Sequence, residues 1–433
     1  MSAPVLRVGV IGAGNVGAAL VELLGDPSRR AALLDAATAE LELVGVAVRD
    51  LTRPRPGVPR ALLSDDALGL AARADLDILV EVMGGIEPAR GYIEAALGRG
   101  VSVVTANKAL MAEAGTELAR LAHDNGADLF YEAAVGGAIP ILRALRTSLA
   151  GERIERVMGI VNGTTNFILS KMSSEASDYA PALGEAQALG YAEVDPSADV
   201  EGFDAAAKVQ VISSLAFGTP LVGELISREG ITGVRAVDVE FAQRMGYVIK
   251  LLGVAERVGP SGISRRVHPS FVPRKHPLAA VHGAMNAVFV EGERSGPLMW
   301  LGAGAGGFPT ATAVLGDVLD AARNRVSGRH DVPFTVDDTL HSVPTEETTS
   351  VFYLSLDVLD EPGVLASVAG VFGRHGVSIQ SMEQFGVGHE ARLCFVTHAA
   401  RTGDVTATLE GLRELSAVDS IGACIRVIDG GEQ

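Results

Sequence analysis

The residues best equipped for chemistry lie between Gly190 and Lys208. Gly190-Tyr191-Ala192-Glu193-Val194-Asp195-Pro196 is followed by Asp199, Glu201, Asp204 and Lys208. These carboxylates precede or open a helix that the apolar pattern predicts over Phe203–Phe217, and an anionic cluster of that density suits an ammonium group. Asp204 and Lys208, four residues apart, share one helix face, which is also the spacing of an ordinary surface ion pair. The sequence beyond Lys208 favours the less ordinary reading. Val209, Val211, Ile212, Leu215 and Phe217 make the rest of the helix apolar, so Lys208 sits at the edge of a buried helix and not on a fully wet face.

A second constellation is Gly12-Ala13-Gly14-Asn15-Val16-Gly17, which follows a predicted strand and opens a predicted helix. The first glycine permits a tight turn, the second lets backbone approach a pyrophosphate, and the third lets helix and strand pack closely. The helix N-terminus adds partial positive charge for phosphate. The next strand ends Val48-Arg49-Asp50, with Arg53 and Arg55 beyond it. Arginines there favour a 2′-phosphate and hence NADP, while an acidic residue such as Asp50 would serve a ribose hydroxyl, so NAD stays open. Val104-Thr105-Ala106-Asn107-Lys108-Ala109 closes a further strand. A carboxyl end of such a sheet is where ligands bind, although a lysine after a strand is also a common exposed loop residue.

Two stretches admit two readings each. Tyr131-Glu132-Ala133-Ala134-Val135-Gly136-Gly137-Ala138-Ile139-Pro140 offers one carboxylate among small residues, suited to a monovalent cation or to a plain hinge. Gly302-Ala303-Gly304-Ala305-Gly306-Gly307-Phe308-Pro309-Thr310 is bare backbone entering a helix. It could approach a cofactor closely or mark a crossing between domains. The histidines show neither the HExxH pattern nor a clustered spacing, so no catalytic transition metal is expected.

The elements that must position these groups fall into three domains. Apolar runs at Val5–Ile11, Leu41–Val48, Asp77–Val82, Val101–Thr105 and Ala127–Tyr131 predict buried strands. Helical patterns at Asn15–Leu34, Pro88–Leu97 and Glu113–His123 lie between them. That alternation predicts an α/β domain of the Rossmann type, doubly wound on a parallel sheet, over residues 1–135. Residues 136–305 predict a second, α+β domain built around its own sheet, with strands at Ile154–Val161 and Val267–Val272 and helices at Phe203–Phe217 and Phe241–Leu252. A helix at Thr310–Asn324 follows the glycine-rich turn. A polar, acid-containing stretch at 333–349 predicts a linker. Residues 350–430 then spell βαββαβ, the ferredoxin-like order: Val351–Val358, Gly363–Arg374, Val377–Phe385, Ala391–His398, Asp404–Leu415 and Ala423–Ile428. This tail is expected to be separable.

Composition narrows the function classes. At 433 residues, 48% of them hydrophobic, the chain can build several cores. A formal net charge of −17 argues against nucleic acid as a partner. The apolar run Val8–Gly25 carries too many glycines for a signal peptide or membrane span. The only cysteines are Cys394 and Cys424, too few for a disulfide framework, which fits a reducing, cytoplasmic setting.

Taken in order, GAGNVG, TANKA, YEAAVGGAIPI, GIVNGTTNFIL (Gly159–Leu169), LGYAEVDPSADVEGFDAAAK and GAGAGGFPTA make residues 5–330 resemble the homoserine dehydrogenases. The tail, with Asp360-Glu361-Pro362-Gly363-Val364-Leu365 entering its first helix, resembles an ACT domain, a binder of small effectors, for which threonine is the expected ligand. The resemblance implies that Lys208 is the acid/base exchanging a proton with the substrate oxygen and that Glu193 and Asp204 hold the homoserine amino group. Lys108 would lie near nicotinamide and substrate. Gly190, Gly306, Asn15, Val16 and Thr105 would line the cofactor site. Glu132 with the carbonyls of Val135, Gly137 and Ile139 would bind a structural monovalent cation, usually sodium. The resemblance also implies that 306–332 returns to the nucleotide-binding domain and that 136–305 is the substrate-binding and dimerisation domain. The implied reaction is the NAD(P)-dependent interconversion of L-homoserine and L-aspartate 4-semialdehyde, in a homo-oligomer. Aspartate-semialdehyde dehydrogenase, which handles the same metabolite, needs a cysteine nucleophile, and residues 1–393 hold none. A non-catalytic amino-acid sensor would have damaged catalytic positions, yet Lys108, Glu193, Asp204 and Lys208 are all present.

Overall fold

The computed structural model describes residues 3–220, 226–331, 335–386 and 391–428. They form two compact units. The first comprises Met1–Arg153, Gln210–Leu225 and Trp300–Asp338, and the second Ile154–Val209, Ile226–Met299 and Thr339–Gln433.

The chain begins β1 (Val5–Ile11), α1 (Asn15–Gly25), α2 (Arg30–Ala37), β2 (Glu40–Ala47), β3 (Leu63–Ser64), α3 (Ala67–Ala71), β4 (Ile78–Glu81), α4 (Ala89–Leu97), β5 (Ser102–Thr105), α5 (Lys108–Asp124) and β6 (Leu129–Phe130). The strands lie in the order β3-β2-β1-β4-β5-β6, all parallel. Order reverses between β1 and β4, which creates the crevice where such sheets bind ligands. Val8, Val10, Ile78 and Val80 are wholly buried, as strands covered on both faces must be. The single helix expected over Asn15–Leu34 is instead two. Asp26 is extended (φ −72°, ψ 111°) because Pro27 follows it, and a residue before proline avoids the helical region. Helix α5 starts five residues earlier than its apolar pattern suggested, since the Asn107 side chain caps it by accepting the Leu110 N–H at 3.2 Å.

Next come α6 (Ile141–Arg143), β7 (Ile154–Ile160), α7 (Gly163–Glu175), α8 (Tyr179–Ala188), α9 (Ser197–Val200), α10 (Phe203–Phe217), β8 (Ser227–Arg228), α11 (Ala236–Arg244), β9 (Tyr247–Val258), β10 (Gly262–Pro273), β11 (Met285–Gly292), β12 (Gly296–Ala303) and α12 (Gly307–Ser327). Helix α12 is the returning segment. Its Ala311, Val314, Val318 and Ala321 are wholly buried and share a core with Val8, Val10 and Ile78. The helix expected at Phe241–Leu252 is wrong in its second half. Helix α11 ends at Arg244, Gly246 turns the chain at φ +81°, and Tyr247 opens the long strand β9. An apolar run of that length fits a buried strand as well as a helix.

The tail is β13 (His341–Ser342), β14 (Thr349–Val358), α13 (Val364–Arg374), β15 (Ile379–Phe385), β16 (Ala391–Thr397), β17 (Ala400–Arg401), α14 (Thr402–Arg413) and β18 (Val418–Val427). Its order β18-β14-β16-β15 is ferredoxin-like, and Leu354, Leu356, Val368, Phe372, Phe395 and Leu412 form its core. It nonetheless shares a sheet with the strands before it. β18 pairs in parallel with β10, Ser270 opposite Arg426 and Phe271 opposite Val427, so the order β12-β11-β7-β9-β10-β18-β14-β16-β15 is one continuous sheet. The join has a buried polar seam. Asp238 of α11, wholly buried, accepts hydrogen bonds from the Tyr353 hydroxyl at 3.0 Å and the Ser355 hydroxyl at 3.2 Å. Tyr353 also stacks on Phe241 and Phe271. The stretch expected as a linker is also partly built in: β13 pairs with β10, and Thr345 and Thr348 are buried. Their hydroxyl-to-carbonyl bond at 2.6 Å satisfies polar atoms that composition alone assigns to solvent.

Candidate active site

In the first unit the glycine-rich turn does what its spacing requires. Gly12 has φ +102°, and a side chain there would meet the Val82 backbone at 2.8 Å. At Gly17 a side chain would lie 2.0 Å from the Gly12 carbonyl oxygen, so glycine is what lets α1 pack against the turn. Gly14 faces open space and caps α1 without a side-chain hydrogen bond, which leaves the first-turn N–H groups to an anion. Gly12, Ala13, Gly14, Asn15 and Arg49 line one cavity of about 880 Å³, together with Arg53, Arg55, Gly84 and Tyr92. Asp50 is not in this lining. Its carboxylate accepts the Thr52 N–H at 2.8 Å and hydroxyl at 2.6 Å. Val16 and Gly17 lie behind the turn, and Gly306 (φ +127°) precedes Gly307, where a side chain would crowd the Asn15 carbonyl oxygen at 3.0 Å. The donor set and the bare backbone fit a dinucleotide.

Glu81, which the sequence reading passed over, organises the adjacent loops. It ends β4 fully buried. One oxygen accepts the N–H groups of Met83 (2.8 Å) and Gly84 (3.1 Å), and the other accepts the Thr105 hydroxyl at 2.6 Å. Thr105 in turn accepts the Asn107 N–H at 3.0 Å, and the Asn107 amide donates to the Gly85 carbonyl at 2.6 Å. The Thr105–Lys108 turn is thereby tied to the glycine pair at 84–85, with Lys108 half-buried at the first position of α5. The available signal was a carboxylate closing an otherwise apolar strand.

In the second unit Lys208 is buried, and its Nζ donates to Asp204 Oδ2 at 2.6 Å and to the Val161 carbonyl at 2.7 Å. Burial excludes the reading of a wet surface pair. Asn162 completes the cluster, donating from Nδ2 to Asp204 Oδ2 at 2.9 Å and to Asp199 Oδ1 at 2.6 Å. Lysine, two carboxylates and an amide thus converge from the end of β7, from α9 and from α10. Such a group can hold an ammonium and deliver a proton. Glu193 is not part of this hydrogen-bonded group. Its side chain is exposed, and its carbonyl accepts the Gln187 amide at 3.0 Å. Gly190 ends the turn after α8 with φ +77°.

Glu132 is 3% exposed, and its carboxyl is raised above the usual carboxylate range by burial. Its oxygens accept the N–H groups of Leu142 (2.9 Å) and Arg143 (2.6 Å), and its own N–H donates to Asp317 at 2.8 Å. Gly136 and Gly137 both have positive φ, and the Ile139 carbonyl accepts the Ile141 N–H at 2.9 Å. Among the described residues no group of three or more His, Cys, Asp or Glu could hold a metal ion. One carboxylate with three carbonyls is a hard oxygen set of low charge, which fits an alkali cation and not a transition metal.

A parallel nucleotide-binding sheet followed by a buried lysine–carboxylate cluster defines a pyridine-nucleotide-dependent oxidoreductase. Three family models match the chain: "Homoserine dehydrogenase, NAD binding domain" over residues 12–132, "Homoserine dehydrogenase" over 140–319 and "ACT domain" over 352–417. Homoserine dehydrogenase of Corynebacterium glutamicum is 47% identical over 424 residues, covering 97% of this chain and 95% of the relative. The crystal structure of a homoserine dehydrogenase from Thiobacillus denitrificans superposes with a TM-score of 0.93 at 38% identity, covering 98% of each chain. A hyperthermophilic archaeal homoserine dehydrogenase mutant in complex with NADPH matches with a TM-score of 0.62 at 30% identity, over 73% of this chain and 97% of that one. The chain belongs to the homoserine dehydrogenase family and is an NAD(P)-dependent oxidoreductase acting on a CH–OH group, with an ACT domain as its tail.

Proposed function

We propose that the enzyme interconverts L-homoserine and L-aspartate 4-semialdehyde with Lys208 as the acid/base, on the route to threonine, methionine and isoleucine. The observation that carries this assignment is the buried Lys208–Asp204 pair, gripped at the lysine by the Val161 carbonyl. When bound, the reduced nicotinamide supplies a hydride to the aldehyde carbon. Lys208 Nζ gives its proton to the oxygen that becomes negative as the hydride arrives, and takes it back in the oxidation direction. Asp204 and the exposed Glu193 hold the substrate ammonium, and Lys108 supports proton transfer as a second cation.

NADP is the preferred nucleotide. Arg49, Arg53 and Arg55 line the cavity beside the glycine turn, whereas the carboxylate of Asp50 is occupied by Thr52. The archaeal relative in complex with NADPH supports the same choice. Thr105, Gly190 and Gly306 border the nucleotide. Glu132 and the carbonyls of Val135, Gly137 and Ile139 hold sodium, which neutralises a buried carboxylate and takes no part in the chemistry. The tail binds an amino-acid effector, threonine, and the enzyme acts as a cytoplasmic homo-oligomer.

The test is absorbance of the reduced nicotinamide with homoserine and NADP, then NAD, with and without threonine. Turnover that is faster with NADP and is inhibited by threonine is the expected result. Nucleotide binding without oxidation of homoserine by either cofactor would overturn the assignment.

A further inference from the structure

Asn162 lies at the end of β7, 5% exposed, and all of its side-chain capacity is used. Its Oδ1 accepts the Thr165 N–H at 2.9 Å and the Thr165 hydroxyl at 3.0 Å, which caps α7. Its Nδ2 has two hydrogens and two acceptors, Asp199 at 2.6 Å and Asp204 at 2.9 Å. The amide cannot be turned over: a flipped Asn162 would aim its oxygen at two carboxylates and its NH2 at a backbone N–H.

Two carboxylates within reach of one nitrogen repel each other. A neutral donor between them opposes that without adding charge. The donor also stays unchanged when the lysine hands its proton to the substrate. Asp204 Oδ2 takes one bond from Lys208 and one from Asn162. When Lys208 has delivered its proton, the attraction it exerts on Asp204 weakens, and the Asn162 bond remains. Val161 and Asn162 are neighbours in the chain, so one turn grips both halves of the pair, the lysine by a carbonyl and the aspartate by an amide.

We propose that Asn162 is a positioning residue: its amide bridges Asp199 and Asp204 and keeps Asp204 aimed at the substrate ammonium while Lys208 gives and takes back its proton. This rests on the assignment of Lys208 and Asp204 made above. Among the described residues, the titratable groups hydrogen-bonded to the amide are Asp199 from α9 and Asp204, itself paired with Lys208, from α10.

Two variants test it. Asn162→Ser retains a cap for α7 and removes both amide donors. Asn162→Asp retains the capping oxygen and adds a third carboxyl, which donates only when protonated. In Asn162→Ser, kcat/KM for homoserine is expected to fall by about 10- to 100-fold, with most of the change in KM, while NADPH binding measured by its fluorescence is unchanged. In Asn162→Asp, activity relative to the original enzyme is expected to rise by about tenfold or more as pH falls from 9 to 6, because protonation restores a donor. Activity of Asn162→Ser within twofold of the original would overturn the proposal. Should that variant prove too unstable to assay, the Asn162→Asp ratio decides alone: a flat ratio overturns the proposal and a rising one supports it. Loss of the parent assignment would show differently, as absence of homoserine oxidation in the unsubstituted enzyme.

Discussion

Glu81 and Thr105 end neighbouring strands and are joined by a hydrogen bond of 2.6 Å, buried from solvent at both partners. Through it the loop after β4 and the loop after β5 become one rigid rim beside the nucleotide cavity. Replacing Glu81 with Ala strands the N–H groups of Met83 and Gly84 and the hydroxyl of Thr105. Only the Thr105 hydroxyl is fully buried, where an unmet donor costs about 1–3 kcal/mol, while Met83 and Gly84 are exposed enough for water to replace part of their loss. The variant should therefore lose about 2–4 kcal/mol of unfolding free energy and bind NADPH roughly tenfold more weakly. Denaturant titration and fluorescence binding check both, and unchanged affinity would detach this rim from nucleotide binding.

Lys208→Met keeps the length of the side chain and removes the proton. Losing a general acid lowers turnover by about 10²–10⁴. NADPH affinity should stay within about twofold, since the glycine turn belongs to the other compact unit. Steady-state rates and a nucleotide titration on the same preparation separate the two effects, and a variant retaining a tenth of the activity would remove Lys208 from the proton transfer.

Asp317 is completely buried beside Glu132, and burial together with that neighbouring carboxylate pushes its carboxyl up to about 7. Unfolded, it titrates near about 4. Between those values the folded state binds more protons, so this group's contribution to stability is complete below pH 4 and is lost as pH rises through 7. A displacement of that size corresponds to about 4 kcal/mol at most. In Asp317→Asn that component should vanish, leaving a flatter dependence of the thermal midpoint on pH between 5 and 8. An identical slope in both proteins would show that Asp317 does not bind the proton.

The Tyr353 hydroxyl bonded to Asp238 predicts joint behaviour of the tail and the strands it joins. Tyr353→Phe leaves the buried Asp238 one donor short, at a cost of about 1–3 kcal/mol. Because β10 and β18 belong to one ladder, hydrogen exchange should accelerate by the same factor in β9 and β14. Acceleration confined to β14 would mean that the tail unfolds alone.

What was legible in the sequence is what short range determines. The Gly12–Gly17 turn, the strands on either side of it and the βαββαβ tail depend on neighbours within a few residues, and they stand where the pattern put them. Asp204 and Lys208 were legible because a helix turn alone pairs them. Asn162 was not, because its partners lie 37 and 42 residues further on, and only the meeting of β7 with α10 makes it part of the cluster. Val248–Leu252 misled for a different reason: an apolar run has no period, and the sheet that claims it is assembled from distant strands. The buried seam at Asp238 was invisible too, since an acid on a short helix predicts solvent until Tyr353 and Ser355 arrive from the tail.

The pairing of Ser270 and Phe271 with Arg426 and Val427 makes the ACT domain a cover for the edge of β10. A chain ending before β14 would leave that stretch of β10 with bare backbone donors and acceptors and would uncover Phe271, which Tyr353 now stacks against. An open edge of this kind templates pairing with other chains. Removing the tail by simple truncation would therefore expose the rest of the sheet to aggregation, and substitutions within the tail are the safer way to learn what it does.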